Sequence, residues 1–126
     1  MNRAPLETAA DLHYVKQAVL YPVLMDVLER DMHTLETLEL KMPQVYISSL
    51  RRTQQQINAD LVHVRRHLRD RGIKIYEMKR TSRSLEARYV CRGYHHHFSM
   101  LWSLVRAEVE SRLAAYMQLP LDQEKA

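Results

Sequence analysis

One stretch of the chain constrains the fold more than any other, because its apolar positions repeat at helical spacing without interruption. The repeating residues are Tyr46, Leu50, Thr53, Ile57, Leu61, Val64 and Leu68. Steps of three and four place them on one face of a helix. Pro43 is a favourable first-turn residue, and Gly72 stands where a left-handed cap often ends a helix. The sequence therefore predicts one helix of about 28 residues that begins near Pro43 and ends at Arg71-Gly72.

Two further helices are predicted, one on each side of this segment. Apolar residues recur at helical spacing from about Leu6 to Leu38, and again from about Tyr94 to Leu119. Pro22 lies inside the first stretch, where a missing N–H and a clash one turn back predict a kink or a break near Leu20–Tyr21. Pro120 follows the last stretch and is expected to end it.

Between the second and third helices the apolar period changes from about 3.6 to 2. Ile73 and Ile75 alternate with polar or aromatic residues, and a second alternating run covers residues 85–92. Two alternating runs around a short polar turn predict a β-hairpin over about residues 73–92. Its tip, Lys79–Arg83, is basic.

These elements predict a mainly α fold. We expect an antiparallel bundle of three to four helices, with the single hairpin before the C-terminal helix. The 126 residues fit one domain over 1–126, because domains commonly contain about 100–150 residues. Residues 1–5 and 120–126 lack periodic apolar positions and are expected to be frayed tails.

The charge is concentrated in one part of the chain. Residues 51–92 contain twelve Lys or Arg and four Asp or Glu, a net charge of +8, and the remaining residues carry −4. Such asymmetry favours a polyanionic partner. Helix geometry places most of the arginines of the long helix opposite its apolar face, and the hairpin tip is expected beside the helix end. The candidate binding residues are Arg51, Arg52, Gln55, Arg65, Arg66, Arg69, Lys79, Arg80 and Arg83.

A helix, a glycine and a basic hairpin follow one another over His63–Arg92. This order resembles the recognition helix and wing of a winged-helix DNA-binding domain, which implies contact with the grooves and phosphates of DNA. A winged helix also has a turn between two short helices. The repeat over residues 46–68 has no glycine, proline or change of phase where such a turn could lie.

Two functions are compatible with this basic surface. The first is a small, non-catalytic regulatory protein that binds nucleic acid or another polyanion through residues 51–92. The alternative is a protein–protein adaptor or inhibitor that presents the same surface to an acidic partner. Either function depends on whether the acidic segment Asp26–Glu39 neutralises the arginines, within one chain or across a dimer. The regular 46–68 repeat is also typical of an interhelical zipper, so a homodimer is possible.

A third hypothesis is a metal-binding helical bundle. Asp60, His63 and His67 lie on one side of the long helix, and the first helix carries Glu29, His33 and Glu36 at helical spacing. Together they weakly resemble the carboxylate-and-histidine sites of such bundles. The usual Glu-x-x-His motif is absent, however. The run His95–His97 is a poor metal site, because consecutive helical residues diverge by about 100°. The sequence therefore predicts no metal and no cofactor.

The remaining features favour a reduced protein without catalytic apparatus. No pair of acidic residues and no nucleophile–base arrangement can be assigned, so no enzyme activity is predicted. Cys91 falls on the apolar side of the hairpin and is expected to be a small buried thiol. No apolar run reaches the roughly 18–20 residues that span a bilayer, and there is no signal peptide. These features predict a cytoplasmic protein that does not interact with membranes.

Overall fold

The computed structural model of the chain describes residues 7–120, which form three helices and one three-stranded antiparallel sheet. In chain order the elements are α1 (Ala9–Thr37), α2 (Pro43–Asp70), β1 (Ile73–Arg80), β2 (Ser84–Cys91), β3 (Tyr94–Leu101) and α3 (Trp102–Tyr116). Helices account for 63% and strands for 21% of this part of the chain, which is a mixed α/β composition. The predicted bundle of three to four helices with one hairpin is therefore wrong. The expected N-terminal tail, residues 1–5, lies outside the described residues. The same is true of residues 121–126 of the expected C-terminal tail.

Helix α2 begins at Pro43 and runs without a turn to Asp70, as the repeat predicts. From Thr53 to Leu68 the predicted apolar positions are buried, whereas at the start of the helix Ile47 is buried in place of Tyr46. This face packs on α1, which runs antiparallel to α2. The zipper-like repeat is thus used within the chain, and α2 has no turn of the kind that a winged helix needs.

Helix α1 lies at the centre of the molecule. The four consecutive residues Ala18–Tyr21 are all buried, so several faces of the helix are covered in its middle turns. Pro22 removes the one hydrogen bond that its own N–H would donate, and the helix continues through it. The predicted break near Leu20–Tyr21 is therefore absent, because packing on several faces holds the segment in a helical conformation.

The main error concerns residues 94–101, which were expected to start the last helix and instead form β3. The two residues between β2 and β3, Arg92 and Gly93, have φ angles of 48° and 91°. Two positive φ angles suit the tight turn that joins twisted antiparallel strands. Phe98 and Met100 then lie half-buried between exposed neighbours, as period 2 requires. Helix α3 is correspondingly short, and it begins at Trp102 and ends at Tyr116.

The sheet has the strand order β1-β2-β3, so the predicted hairpin forms its first two strands. One face packs on α1 through side chains of β2 that alternate along the strand, and the other face is open to solvent. The buried side chains are Leu85, Ala87, Tyr89 and Cys91. Helix α3 is tied to α1 by Lys16, whose ammonium lies 2.8 Å from the Glu108 carboxylate. The core therefore lies around α1, which contacts α2, the sheet and α3.

Candidate nucleic-acid interface

Helix α2 carries five of the predicted binding arginines, and all five are exposed. None of them forms an ion pair within residues 7–120. These are Arg51, Arg52, Arg65, Arg66 and Arg69. The predicted Gln55 is exposed on the same helix. Their guanidinium groups are therefore available to an anionic partner.

The acidic segment of α1 does not neutralise these arginines in the part of the chain described. Asp26 instead accepts a hydrogen bond from Arg80 of the hairpin at 2.6 Å. The carboxylate of Glu29 accepts a hydrogen bond from the side-chain amide of Gln54 at 3.0 Å. Among the predicted binding cations within residues 7–120, only Arg80 of the hairpin tip thus forms an ion pair with the acidic segment.

Two of the arginines line a cleft between α2 and β1. Arg65 and Arg69 form one wall, and Lys74 at the start of β1 stands on the other. The floor is apolar and is formed by Ala18, Leu68, Ile73, Ile75 and Met78. The cleft has a volume of about 570 Å³, and no acidic residue is among the described residues that line it. Three cations therefore surround an apolar floor without a compensating carboxylate.

Helix geometry adds Arg51 to this side of α2. Eighteen residues separate Arg51 from Arg69, which is five full turns, so the two side chains leave the helix in the same direction about 27 Å apart. We call the set Arg51, Arg65, Arg69 and Lys74 the basic flank. Arg66 lines a different, smaller cleft with Tyr14.

The hairpin tip is not beside the end of α2, contrary to expectation. Strand β1 leaves the end of α2 at Ile73 and extends about 23 Å before it reaches Arg80. The tip is held near the start of α3, where the indole N–H of Trp102 donates to the carbonyl of Thr81 at 2.7 Å. Lys79, Arg80 and Arg83 are all exposed, but they form a group separate from the basic flank.

The three candidate metal ligands of α2 have other contacts. Asp60 accepts a hydrogen bond from the Tyr116 hydroxyl, and the ring of His67 stacks on Tyr14 with centroids 3.8 Å apart. His63 lines the cleft that also contains His67. No group of three His, Cys, Asp or Glu side chains within residues 7–120 is arranged to hold a metal ion.

The three consecutive histidines lie on β3 and point alternately to the two faces of the sheet. His96 stacks on Tyr89 on the core side, with centroids 5.3 Å apart. On the open side, the ring nitrogen of His97 lies 2.9 Å from the Glu86 carboxylate. The strand therefore separates the histidines into different environments.

Cys91 is buried, as its position in the alternating pattern predicts. Burial raises the pKa of its thiol, and this effect outweighs that of the neighbouring Arg92 cation, which lowers it. The thiolate needed for a nucleophilic role is therefore disfavoured.

Sequence reasoning missed a buried ionic cluster around Asp11, in the first turn of α1. Its side chain is 1% exposed and accepts hydrogen bonds from Arg92 at 2.7 Å and from Arg71 at 3.0 Å. Burial opposes ionisation, but hydrogen bonds from Arg92, the Thr8 backbone and Arg71 hold the pKa of Asp11 well below its usual range. The only local signal is Thr8-x-x-Asp11, which forms a capping box.

This cluster positions the basic flank. The Asp11 carboxylate binds both Arg71, at the end of α2, and Arg92, in the β2–β3 turn. The guanidinium of Arg92 also donates to the carbonyl of Arg71 at 2.8 Å. The junction between α2 and β1, from which Lys74 enters the cleft, is thereby held in one geometry.

A second buried contact lies next to this cluster. The Tyr89 hydroxyl donates a hydrogen bond to the Glu7 carboxylate, and burial together with that carboxylate raises the pKa of Tyr89. At the far end of α3, burial and Asp60 likewise raise the pKa of Tyr116. Both tyrosines stay neutral at physiological pH and act as hydrogen-bond donors.

Comparisons with known proteins place the chain in a family without assigning it a function. No helix within residues 7–120 combines the length and apolar character needed to cross a membrane. No curated protein and no solved structure matches the sequence. The family model described as YhjD protein matches residues 6–121, nearly the whole chain. The chain therefore belongs to the YhjD protein family.

Proposed function

We propose that this protein is a non-catalytic regulatory protein that binds nucleic acid through the basic flank. The observation that carries the proposal is that Arg65, Arg69 and Lys74 meet around one cleft without an acidic residue among its described lining. A cation already paired with a carboxylate gains little from a phosphate, whereas an unpaired one releases counterions from the nucleic acid. The flank extends over about 27 Å of α2, a length that can follow several phosphates of a strand.

If these cations contact phosphates, binding should show little sequence preference. Arginine and lysine contacts to phosphates set position and affinity, whereas sequence is read at base edges. The exposed Gln55 of α2 is the one amide among the predicted binding residues. The cytoplasm suits this role, since a free thiol such as Cys91 stays reduced there. A homodimer would double the number of phosphate contacts, but it would need a surface other than the buried face of α2.

Charge reversal at the cleft tests the proposal. The variant Arg65→Glu/Arg69→Glu should lose binding to a fluorescently labelled random-sequence oligonucleotide, because it places two carboxylates beside the phosphates. The matched control is Arg30→Glu/Arg106→Glu, which changes the net charge equally in the groove between α1 and α3. We expect the control to bind within about threefold of the wild type.

Two results would contradict the proposal. One is equal loss in both variants, which would mean that net charge alone governs the interaction. The other is the absence of binding by the wild type at low salt. In that case we would expect the basic flank to bind an acidic protein partner instead.

A further inference from the structure

The sheet has one open face, and its centre carries two aromatic side chains. Strands β1 and β3 lie on either side of β2, whose outward positions include Arg88 and Val90. The buried side chains of β2 point the other way, toward α1. The open face thus presents a three-stranded surface, and its strand β1 also lines the α2–β1 cleft.

Tyr76 projects from this surface because it lies two positions after Lys74, which pairs with the outward Val90. The pairing register with β2 shifts between Ile75 and Glu77, so Tyr76 has no partner residue on β2. A bulge of this kind leaves the extra residue unpaired and shifts the following residues by one position, so Glu77 also faces outward, opposite Arg88. Tyr76 is 48% exposed. Its ring therefore offers a large apolar area for contact with a ligand.

His95 of β3 meets Tyr76 across the middle strand. The two rings are 5.9 Å apart and inclined by 77°, and the Tyr76 hydroxyl lies 3.3 Å from the Nδ1 atom of His95. Both side chains are exposed. Each ring is therefore held by the other while it remains accessible from solvent.

The carboxylates of the open face are already engaged. Glu77 pairs with Arg88 at 3.2 Å, and Glu86 pairs with His97 at 2.9 Å. Lys74, two residues before Tyr76 on β1, also lines the cleft with the α2 arginines. Lys74 therefore connects the basic flank to the strand that carries Tyr76.

We infer that the nucleic acid bound by this protein is single-stranded, with its phosphates on the basic flank and a base stacked on Tyr76, whose ring His95 holds in place. The inference rests on the proposed function and names its substrate class. Aromatic side chains beside a basic groove bind single strands, since an unpaired base offers its ring face to them. In a duplex the bases are stacked on one another and cannot reach rings that lie on a sheet surface.

The experiment compares a labelled 12-nucleotide single strand with the duplex of the same sequence, by fluorescence anisotropy on the full chain. We expect the single strand to bind at least tenfold more tightly. Tyr76→Ala should weaken single-strand binding by about tenfold, or about 1.4 kcal/mol, because one base loses its stacking partner. Tyr76→Phe keeps the ring and should bind within about twofold of the wild type.

A matched control separates stacking from a general effect of removing an exposed aromatic residue. Tyr46 at the start of α2 is 50% exposed and lies outside the proposed site, so Tyr46→Ala should bind like the wild type. Far-UV circular dichroism should show that each variant is folded.

The two proposals fail in distinguishable ways. Equal affinity for duplex and single strand, or an unchanged affinity of Tyr76→Ala, would overturn the inference and leave nucleic-acid binding intact. Absence of binding to both molecules would overturn both.

Discussion

The guanidinium of Arg92 lies 2.7 Å from the carboxylate of Asp11, although 81 residues separate them in the chain. Asp11 is almost completely enclosed, and the Arg92 side chain is only 16% exposed. Arg92 also occupies a positive-φ position in the β2–β3 turn, which is uncommon for a residue other than glycine. The ion pair therefore stabilises a backbone conformation that is unfavourable in isolation, and it connects the turn to the start of α1.

Asp11→Asn should destabilise the protein strongly, because it leaves two arginines facing a neutral group in a partly buried site. We expect the free energy of unfolding to fall by about 3 kcal/mol, as is typical when one member of a buried ion pair is removed. Urea denaturation measures this change. In the exposed Glu77–Arg88 pair, Glu77→Gln should cost less than about 1 kcal/mol. Equal costs at the two sites would contradict the role given to Asp11.

The same carboxylate makes stability depend on pH. Because the pKa of Asp11 is lowered in the folded chain, the unfolded chain takes up its proton first as the pH falls. The contribution of Asp11 is complete above the unfolded pKa of about 4 and is lost as the pH falls toward the folded value. Glu108 likewise stabilises the folded chain above its usual pKa, since hydrogen bonds from Lys16 and Arg112 lower its pKa.

A comparison of the wild type with Asp11→Asn isolates the first of these contributions. The difference in unfolding free energy should be constant from about pH 7 to pH 5 and should shrink below about pH 4. A difference that stays constant to pH 2 would show that Asp11 is not the titrating group.

The two glycines should differ in their tolerance of a side chain. Both have positive φ angles, 71° at Gly72 and 91° at Gly93. A Cβ atom at Gly72 would lie 3.1 Å from Cγ of Arg92, whereas one at Gly93 would meet no atom within 4 Å. Gly93→Ala should lower the free energy of unfolding by about 1 kcal/mol through backbone strain alone, as urea denaturation would measure. Gly72→Ala should lower it further.

A double-mutant cycle shows whether the additional destabilisation by Gly72→Ala comes from contact with Arg92. In an Arg92→Ala background, Gly72→Ala should lose its extra cost, because the clashing side chain is gone. If the extra cost persists there, the contact between Gly72 and Arg92 is not its cause.

Cys91 should react slowly in the folded protein. Its thiol is buried and its pKa is raised by that burial, so both access and ionisation are reduced. We expect a thiol reagent to label the native chain at least about 100-fold more slowly than the denatured chain at the same pH. Equal rates would show that β2 is exposed in solution.

The contrast between α2 and β3 shows what the sequence could predict. In α2 the apolar positions follow one period without interruption, so both ends of the helix were assigned correctly. Residues 94–101 are compatible with either element. The step of three from Phe98 to Leu101 fits a helix that continues into Trp102, whereas the step of two from Phe98 to Met100 fits a strand. The strand forms because β2 gains a second hydrogen-bonded partner, and that gain is not visible in local spacing.

The candidate site was predictable in part for a similar reason. Exposure of the arginines followed from the helical phase of α2. Which cations share a cleft depends on the direction of β1, which brings Lys74 beside Arg69 and carries Arg80 away to Asp26. The Asp11 cluster joins residues from three distant segments, so no local pattern could reveal it.

The salt dependence of single-strand binding tests the central claim most directly. If Arg51, Arg65, Arg69 and Lys74 each contact a phosphate, the logarithm of the binding constant should fall with the logarithm of salt concentration with a slope of about −3. Replacing Arg65 and Arg69 by glutamine should reduce the slope to about −1.4. A slope near zero for the wild type, or an unchanged slope in the Arg65→Gln/Arg69→Gln variant, would contradict the account.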